Sequence, residues 1–225
     1  MIFLQKFKHT GFALLIITSA CLILPVQGMT QVIVTGEDAS SYYDNVSDEF
    51  RKQIEIAIPP EAFAPSVKPR KLLVLNLHVN NGQVLSGHGS IDYANYAIKL
   101  TGEKTGAYQA YFTRDTLVFK KEILNQFDAI CFNNTAGVLF EDEELRQNLL
   151  DYIYSGRGFV GIHAAGATFV QYPVYDQFPE FGIMMGGYEN GGHPWMDHEW
   201  INIKVEEPEH PLNQFFPYTN FDISD

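Results

Sequence analysis

Histidines are the residues of this sequence whose placement most favours chemistry. His163 follows the apolar run Gly158-Phe159-Val160-Gly161-Ile162, which is typical of a buried parallel strand, and small residues come directly after it. A strand that runs into small residues can turn sharply and hold one side chain at its tip, as a nucleophile elbow does. We therefore expect His163 at the carboxyl edge of a sheet, where ligands bind in α/β folds. The alternative is a histidine that ends a strand and bonds only to backbone.

Other residues are candidates for the same site. His88 lies in a glycine-rich loop after the first predicted strand, His193 precedes a proline in the later loop region, and Asp225 ends the chain. Imidazoles with a carboxylate suit either general acid/base catalysis or a divalent metal such as zinc, which His163 and His193 would hold. His78 is a secondary candidate at the end of the first strand. No zinc-binding spacing motif is present, so both kinds of site stay open.

Polar and aromatic residues near these histidines are candidates for binding a sugar. Asn133 and Asn134 directly follow a predicted strand, where their amides could hold a sugar hydroxyl or a developing oxyanion. A strand-to-helix turn with asparagine as a cap is the common alternative. Tyr175, Tyr188 and Trp195 belong to an aromatic-rich loop region that either stacks on sugar faces or packs onto the sheet.

The first 28 residues have the pattern of a secretory signal. Lys6 and Lys8 precede the apolar run from Gly11 to Val26, and Val26-Gln27-Gly28 suits the −3 and −1 positions of a signal-peptidase site. The run is short for a membrane span, which disfavours an uncleaved anchor, and the residues around Cys21 fit a lipoprotein signal poorly. We predict a signal peptide over residues 1–28 and a periplasmic or secreted mature chain without a stable membrane span.

The composition of the mature chain limits its partners. Loss of Lys6 and Lys8 leaves 13 basic residues against 27 acidic ones, a formal charge of −14. Such a chain repels phosphate polymers, so nucleic acid is not an expected partner, whereas a small neutral carbohydrate is compatible with the charge. Only Cys131 remains of the two cysteines, and its apolar neighbours predict a buried, inert thiol. The sequence gives no indication of the oligomeric state.

Alternating strands and helices indicate an α/β domain. We predict a flavodoxin-like, doubly wound and mostly parallel sheet with helices on both faces over residues 71–225, preceded by an N-terminal extension and linker over residues 29–70. The predicted strands cover residues 72–77, 107–113, 127–132, 158–162 and 198–206. The predicted helices cover residues 48–58 and 141–155, with another beginning after Ser90.

Residues 71–225 resemble the trehalose-utilisation (ThuA-like) family. The resemblance rests on Gly158 to Ala165, Gly186-Gly187 and His193-Pro194, together with segments 88–91, 127–129, 133–137, 209–212 and 222–225. It implies a class I glutamine-amidotransferase-like fold and a link to disaccharide or keto-sugar metabolism. Family members usually continue beyond the last aspartate, so the resemblance also implies that the domain is incomplete at its carboxyl end.

The resemblance does not extend to amidotransferase chemistry. That reaction needs a thiolate at the elbow, but the elbow here carries His163, and Cys131 belongs to another strand. We predict an exported, sugar-active enzyme that uses His163 and His193 in acid/base or metal-assisted chemistry. A non-catalytic carbohydrate-binding or accessory module and a metal-dependent hydrolase of non-sugar substrates are the alternatives.

Overall fold

A four-stranded parallel sheet organises the chain. The computed structural model describes residues 39–190 and 198–224. The strands of the sheet are β1 (Lys71–Leu75), β4 (Gln109–Thr113), β5 (Ala129–Asn133) and β6 (Gly158–Ile162), in the order β4-β1-β5-β6. In chain order this is 2-1-3-4, the order of flavodoxin-like sheets, and it confirms the predicted fold class. The crossovers reverse direction between β1 and β5, so the carboxyl ends of these strands flank the crevice where such folds bind ligands.

Five helices accompany the sheet in the described residues. They are α1 (Asp48–Ala57), α2 (Ile91–Thr105), α3 (Lys121–Leu124), α4 (Glu143–Tyr154) and α5 (Pro179–Met185). The side chain of Asp142 accepts hydrogen bonds from two amides of the first turn of α4, and α2 ends on the left-handed Gly106. Ser90 stands at the predicted start of α2, but its side chain caps no amide there. Its hydroxyl instead lies 3.5 Å from Oδ1 of Asn134.

The two faces of the sheet are covered by different parts of the chain. Because side chains alternate along a strand, Leu73 and Leu75 join one buried cluster with residues of α4 and α5, while Val74 joins the other. The second cluster includes Tyr96 of α2 and the segment before α1, which contributes Ala39, Tyr42, Tyr43 and Val46. These four residues, which precede α1, are thus part of the core of the described domain.

Small β-elements fill regions that the sequence had suggested were loops. These are β2 (His78–Asn80) with β3 (Gln83–Leu85), and β7 (Val170–Gln171) with β8 (Val174–Asp176). A further pair is β9 (Trp200–Lys204), which lies within the strand predicted over residues 198–206, and β10 (Asn220–Ser224). Asn81 and Gly82 both have positive φ and form the tight turn between β2 and β3. Strands of two or three residues are too short to show an alternating pattern. None of the helices in the described ranges has the length and apolar character that crossing a bilayer requires.

Candidate functional site

The predicted elbow is present at the end of β6. His163 has a φ of 50°, in the left-handed region, and begins a 3-10 turn over His163–Ala167. A left-handed backbone is uncommon for a residue with a side chain and marks a strained position. Gly161 permits the turn, because an added Cβ would lie 3.1 Å from Cβ of Ala165 and 3.2 Å from Cε of Met185. The chain therefore folds back tightly and leaves the imidazole at the tip.

Asn134 holds the ring of His163. Parallel pairing sets Asn133 of β5 opposite Ile162 of β6, so the residues that follow each strand are neighbours. Nδ1 of His163 lies 2.7 Å from Oδ1 of Asn134, a short hydrogen bond. The backbone of Asn134 is also left-handed, with a φ of 56°, and its backbone N–H donates to the carbonyl of Ile162 at 3.2 Å.

A line of buried amides continues behind Asn134. Its Nδ2 donates to Oδ1 of Asn133 at 2.7 Å, and Nδ2 of Asn133 donates to Oδ1 of Asn95 at 2.8 Å. Nδ2 of Asn133 also donates to the carbonyl of Ile91 at 3.2 Å, and Nδ2 of Asn95 donates to the carbonyl of Tyr42 at 2.9 Å. The path joins His163 to β5, α2 and the N-terminal segment in turn.

Sugar binding by Asn133 and Asn134, which the sequence suggested, stays a prediction, and the structure shows where the two side chains lie. Asn133 is fully buried and Asn134 is 1% exposed. Their amide groups are engaged with Asn95 and His163, among other partners. The side chain of Asn134 thus contacts the imidazole directly, and the side chain of Asn133 is linked to it through Asn134.

A cavity of about 360 Å³ opens beside the elbow. Its volume lies in the range of small-molecule sites. Tyr188, which is 42% exposed, belongs to the wall of this cavity. The lining consists of Gly161, His163, Ala165, Gly166, Met185, Gly186, Gly187 and Tyr188. The imidazole of His163 thus borders a space that four glycines help to line.

The structure gathers three histidines at this edge of the sheet. The ring of His88 lies 4.7 Å from that of His163 in an edge-to-face arrangement, and the ring of His78 lies 6.1 Å from that of His88. The sequence had placed His88 and His163 in one site, and the two rings are in contact. Among the residues that the structure describes, the buried Nδ1 of His78 has no hydrogen-bond partner.

His78 borders a second cavity of about 210 Å³, which also contains Tyr172 and Glu189 in its lining. The amide of Glu189 donates to the carbonyl of Gly166 at 2.8 Å. Gly166 lines the first cavity and Glu189 the second, so this hydrogen bond joins one lining residue of each cavity.

Several predicted site residues lie outside the described part of the chain. These are His193, Trp195 and Asp225, and the side chain of Tyr175 is likewise not described. The joint site of His163 with His193, and the metal that the pair would hold, therefore stay predictions. Within residues 39–190 and 198–224, no group of three or more histidine, cysteine or acidic side chains is arranged to hold a metal ion.

Cys131 is unsuited to thiol chemistry. It is 2% exposed, lies in the buried cluster beside Val74, and pairs with Val160 of β6 rather than with the elbow tip. Burial raises the pKa of its thiol to about 12, so almost no thiolate forms at neutral pH. The predicted burial is confirmed.

Asn95 was not among the site residues predicted from the sequence. It is fully buried and anchors the amide line, yet it lies one turn after Ile91 on the apolar face of α2. An asparagine within a buried helical stripe must find hydrogen bonds there, because an unsatisfied buried amide is costly. A polar residue at an apolar position of the predicted helix was therefore the sequence feature that could have identified Asn95.

Comparisons with known proteins agree with this architecture. The family model described as ThuA, trehalose utilisation, matches residues 76–225. The crystal structure of a ThuA-like protein from Bacteroides uniformis is 21% identical in sequence, with a TM-score of 0.51. The match covers 72% of this chain and 62% of that one, so the chain spans less than two thirds of that structure, and the likeness concerns the fold. Among curated proteins, none matches this sequence.

Proposed function

Because the chain belongs to the trehalose-utilisation (ThuA) family, we propose that it is an enzyme that acts on a disaccharide or an oxidised keto-sugar. His163 is the proposed acid/base group. The observation that supports this role most directly is the imidazole at a strained elbow tip, fixed by Asn134 at 2.7 Å beside a cavity of about 360 Å³. A group held in one orientation at a ligand-sized cavity meets the geometric requirement for proton transfer.

Asn134 engages one of the two ring nitrogens of His163. Nδ1 is engaged by Asn134, so Nε2 of His163 is the atom that would exchange a proton with the substrate. In a keto-sugar the carbonyl acidifies the neighbouring C–H, and an imidazole can remove that proton. In a disaccharide the same nitrogen can take a proton from a hydroxyl or from an attacking water.

The surroundings of His163 suit a neutral, hydroxyl-rich ligand. The ring of Tyr188 offers an apolar face for stacking and a hydroxyl for hydrogen bonding, and glycine backbone lets a ligand approach closely. The chain is strongly acidic, with a formal charge of −12, so an anionic ligand would be repelled from it. We propose His193 as the second imidazole of the reaction.

Single and double histidine variants test the proposal. The full chain is incubated with trehalose and, separately, with its oxidised keto derivative, and the products are followed by NMR. We expect His163→Ala and His193→Ala each to lower kcat/KM by ~10²–10⁴. The double variant should be scarcely worse than either single one, because groups that act as a unit are not additive.

His210→Ala is the matched control for loss of an imidazole. His210 caps an exposed 3-10 turn over Pro211–Asn213, and its variant should retain wild-type turnover. Binding of either sugar without turnover would instead make the protein a carbohydrate-binding module. Turnover that survives in a well-folded His163→Ala protein would remove His163 from the mechanism.

A further inference from the structure

We propose that the buried asparagines set the tautomer of His163, with the proton on Nδ1 and the lone pair on Nε2. The inference concerns Asn134, Asn133 and Asn95 as positioning residues that act through the imidazole. It rests on the proposed function only for its catalytic consequence, because the tautomer itself follows from hydrogen-bond directions.

The contact between Asn95 and Tyr42 fixes the donor-to-acceptor direction of the hydrogen bonds along the line of buried amides. The carbonyl of Tyr42 can only accept, so the group of Asn95 that faces it at 2.9 Å must be the NH2. The remaining atom of that amide is Oδ1, which only accepts, and the atom of Asn133 that faces it at 2.8 Å must again be an NH2. Each amide thus passes the same orientation to the next.

A second backbone carbonyl fixes the middle of the line. Nδ2 of Asn133 has two hydrogens, and it directs the second one to the carbonyl of Ile91 at 3.2 Å. Oδ1 of Asn133 therefore points onward and accepts from Nδ2 of Asn134 at 2.7 Å. The atom of Asn134 that faces His163 at 2.7 Å is then an oxygen, and Nδ1 of His163 must carry the hydrogen.

Burial makes this orientation hard to reverse. Asn95 and Asn133 are fully buried, and Asn134 is 1% exposed. Flipping any one amide would set two oxygens or two NH2 groups against each other, and water has no access to relieve the unsatisfied groups. The hydroxyl of Ser90 also lies near Oδ1 of Asn134, at 3.5 Å, but a hydroxyl either donates or accepts and so selects neither orientation.

The tautomer decides what the neutral ring can do. With the hydrogen on Nδ1, Nε2 of His163 offers a lone pair, so at this nitrogen the neutral ring can accept a proton or bind a metal but cannot donate a proton. In water a free histidine side chain prefers the opposite tautomer, with its proton on Nε2. The protein therefore holds His163 in the minority form, which is ready to act as a base.

The tautomer can be measured without any substrate. The full chain is labelled with 15N-histidine, and the ring nitrogens of its seven histidines are recorded at alkaline pH, where imidazole is neutral. His163→Gln assigns the signals of His163 by their loss. We expect a protonated Nδ1 and an unprotonated Nε2 in the wild-type protein.

Two variants test the cause. Asn134→Gly removes the acceptor but keeps a residue that tolerates the local φ of 56°, and His163 should then shift toward the Nε2–H form. Where turnover is measurable, kcat should fall by ~10²–10⁴, as it does when a catalytic histidine has the wrong tautomer. Ser90→Ala removes the other contact to the same oxygen and should leave the tautomer unchanged.

The outcomes separate the two proposals. An Nε2–H tautomer in the wild-type protein would overturn the inference whatever the activity, and so would an unchanged tautomer in folded Asn134→Gly. An Nδ1–H tautomer in a chain that turns over neither sugar would support the inference and count against the proposed function alone.

Discussion

Replacement of Gly137 by alanine should destabilise the protein far more than the same change at Gly82. Gly137 has a φ of 76° and follows the end of β5 in the chain, and its backbone N–H donates to the carbonyl of Ala167 at 2.9 Å. Its own carbonyl accepts from the amide of Phe169 at 2.8 Å. These bonds attach the segment that follows the His163 turn to the segment that follows β5.

The two glycines differ in what surrounds an added Cβ. At Gly82, with a φ of 75°, an added Cβ would have no atom of the described residues within 4 Å beyond its chain neighbours, so alanine incurs only the left-handed backbone cost of about 1–2 kcal/mol. At Gly137 a Cβ would lie 1.7 Å from the carbonyl oxygen of Val79, and the backbone must shift. Loss of the Val79–Ala136 bond and one of the Gly137 bonds adds about 1–3 kcal/mol.

Urea denaturation of the full-length variants measures the difference. We expect the unfolding free energy of Gly137→Ala to fall by about 2–5 kcal/mol, and that of Gly82→Ala by about 1–2 kcal/mol. Turnover should fall in the first variant, since the wall of the site moves, and persist in the second. Equal losses of stability in the two variants would refute the reasoning from the Val79 contact.

Three further predictions concern the thiol, an ion pair and export. Cys131→Ser should keep turnover while lowering stability by about 1–2 kcal/mol, because a hydroxyl replaces a buried thiol; loss of turnover in a folded variant would contradict this. Hydrogen bonds from Lys68 and the Lys71 amide hold the pKa of Asp128 well below its usual 3.8. The ionised carboxylate therefore stabilises the folded protein above about pH 4, and this stabilisation is lost as the pH falls. In Asp128→Asn the free energy of unfolding, measured at low salt, should therefore decrease less steeply with falling pH than in the wild-type protein. N-terminal sequencing of exported protein should find Met29 first, and an intact Met1 or a lipidated Cys21 would contradict the proposed export.

The sequence determined the elements whose patterns are local. β6 covers Gly158–Ile162, as its apolar run predicted, and α4 covers Glu143–Tyr154 within the predicted span of residues 141–155. His163 was predictable as an elbow residue because a strand followed by small residues specifies a turn within a few positions. Burial of Cys131 followed from the same kind of information, since its apolar neighbours are adjacent in the chain.

Only the tertiary structure decided which groups surround the imidazole. Asn134 meets His163 because β5 and β6 are paired in one register, and a shift of one residue would send the side chain to the other face. Two other members of the line of buried amides come from distant parts of the chain: Asn95 lies 38 residues before Asn133, and Tyr42, whose carbonyl ends the line, lies 91 residues before it. Hydrogen-bond direction is a property of such assembled contacts, since each amide takes its orientation from its partner. The sequence thus supplied the catalytic candidate, and the packing of three distant segments determined how its ring is held.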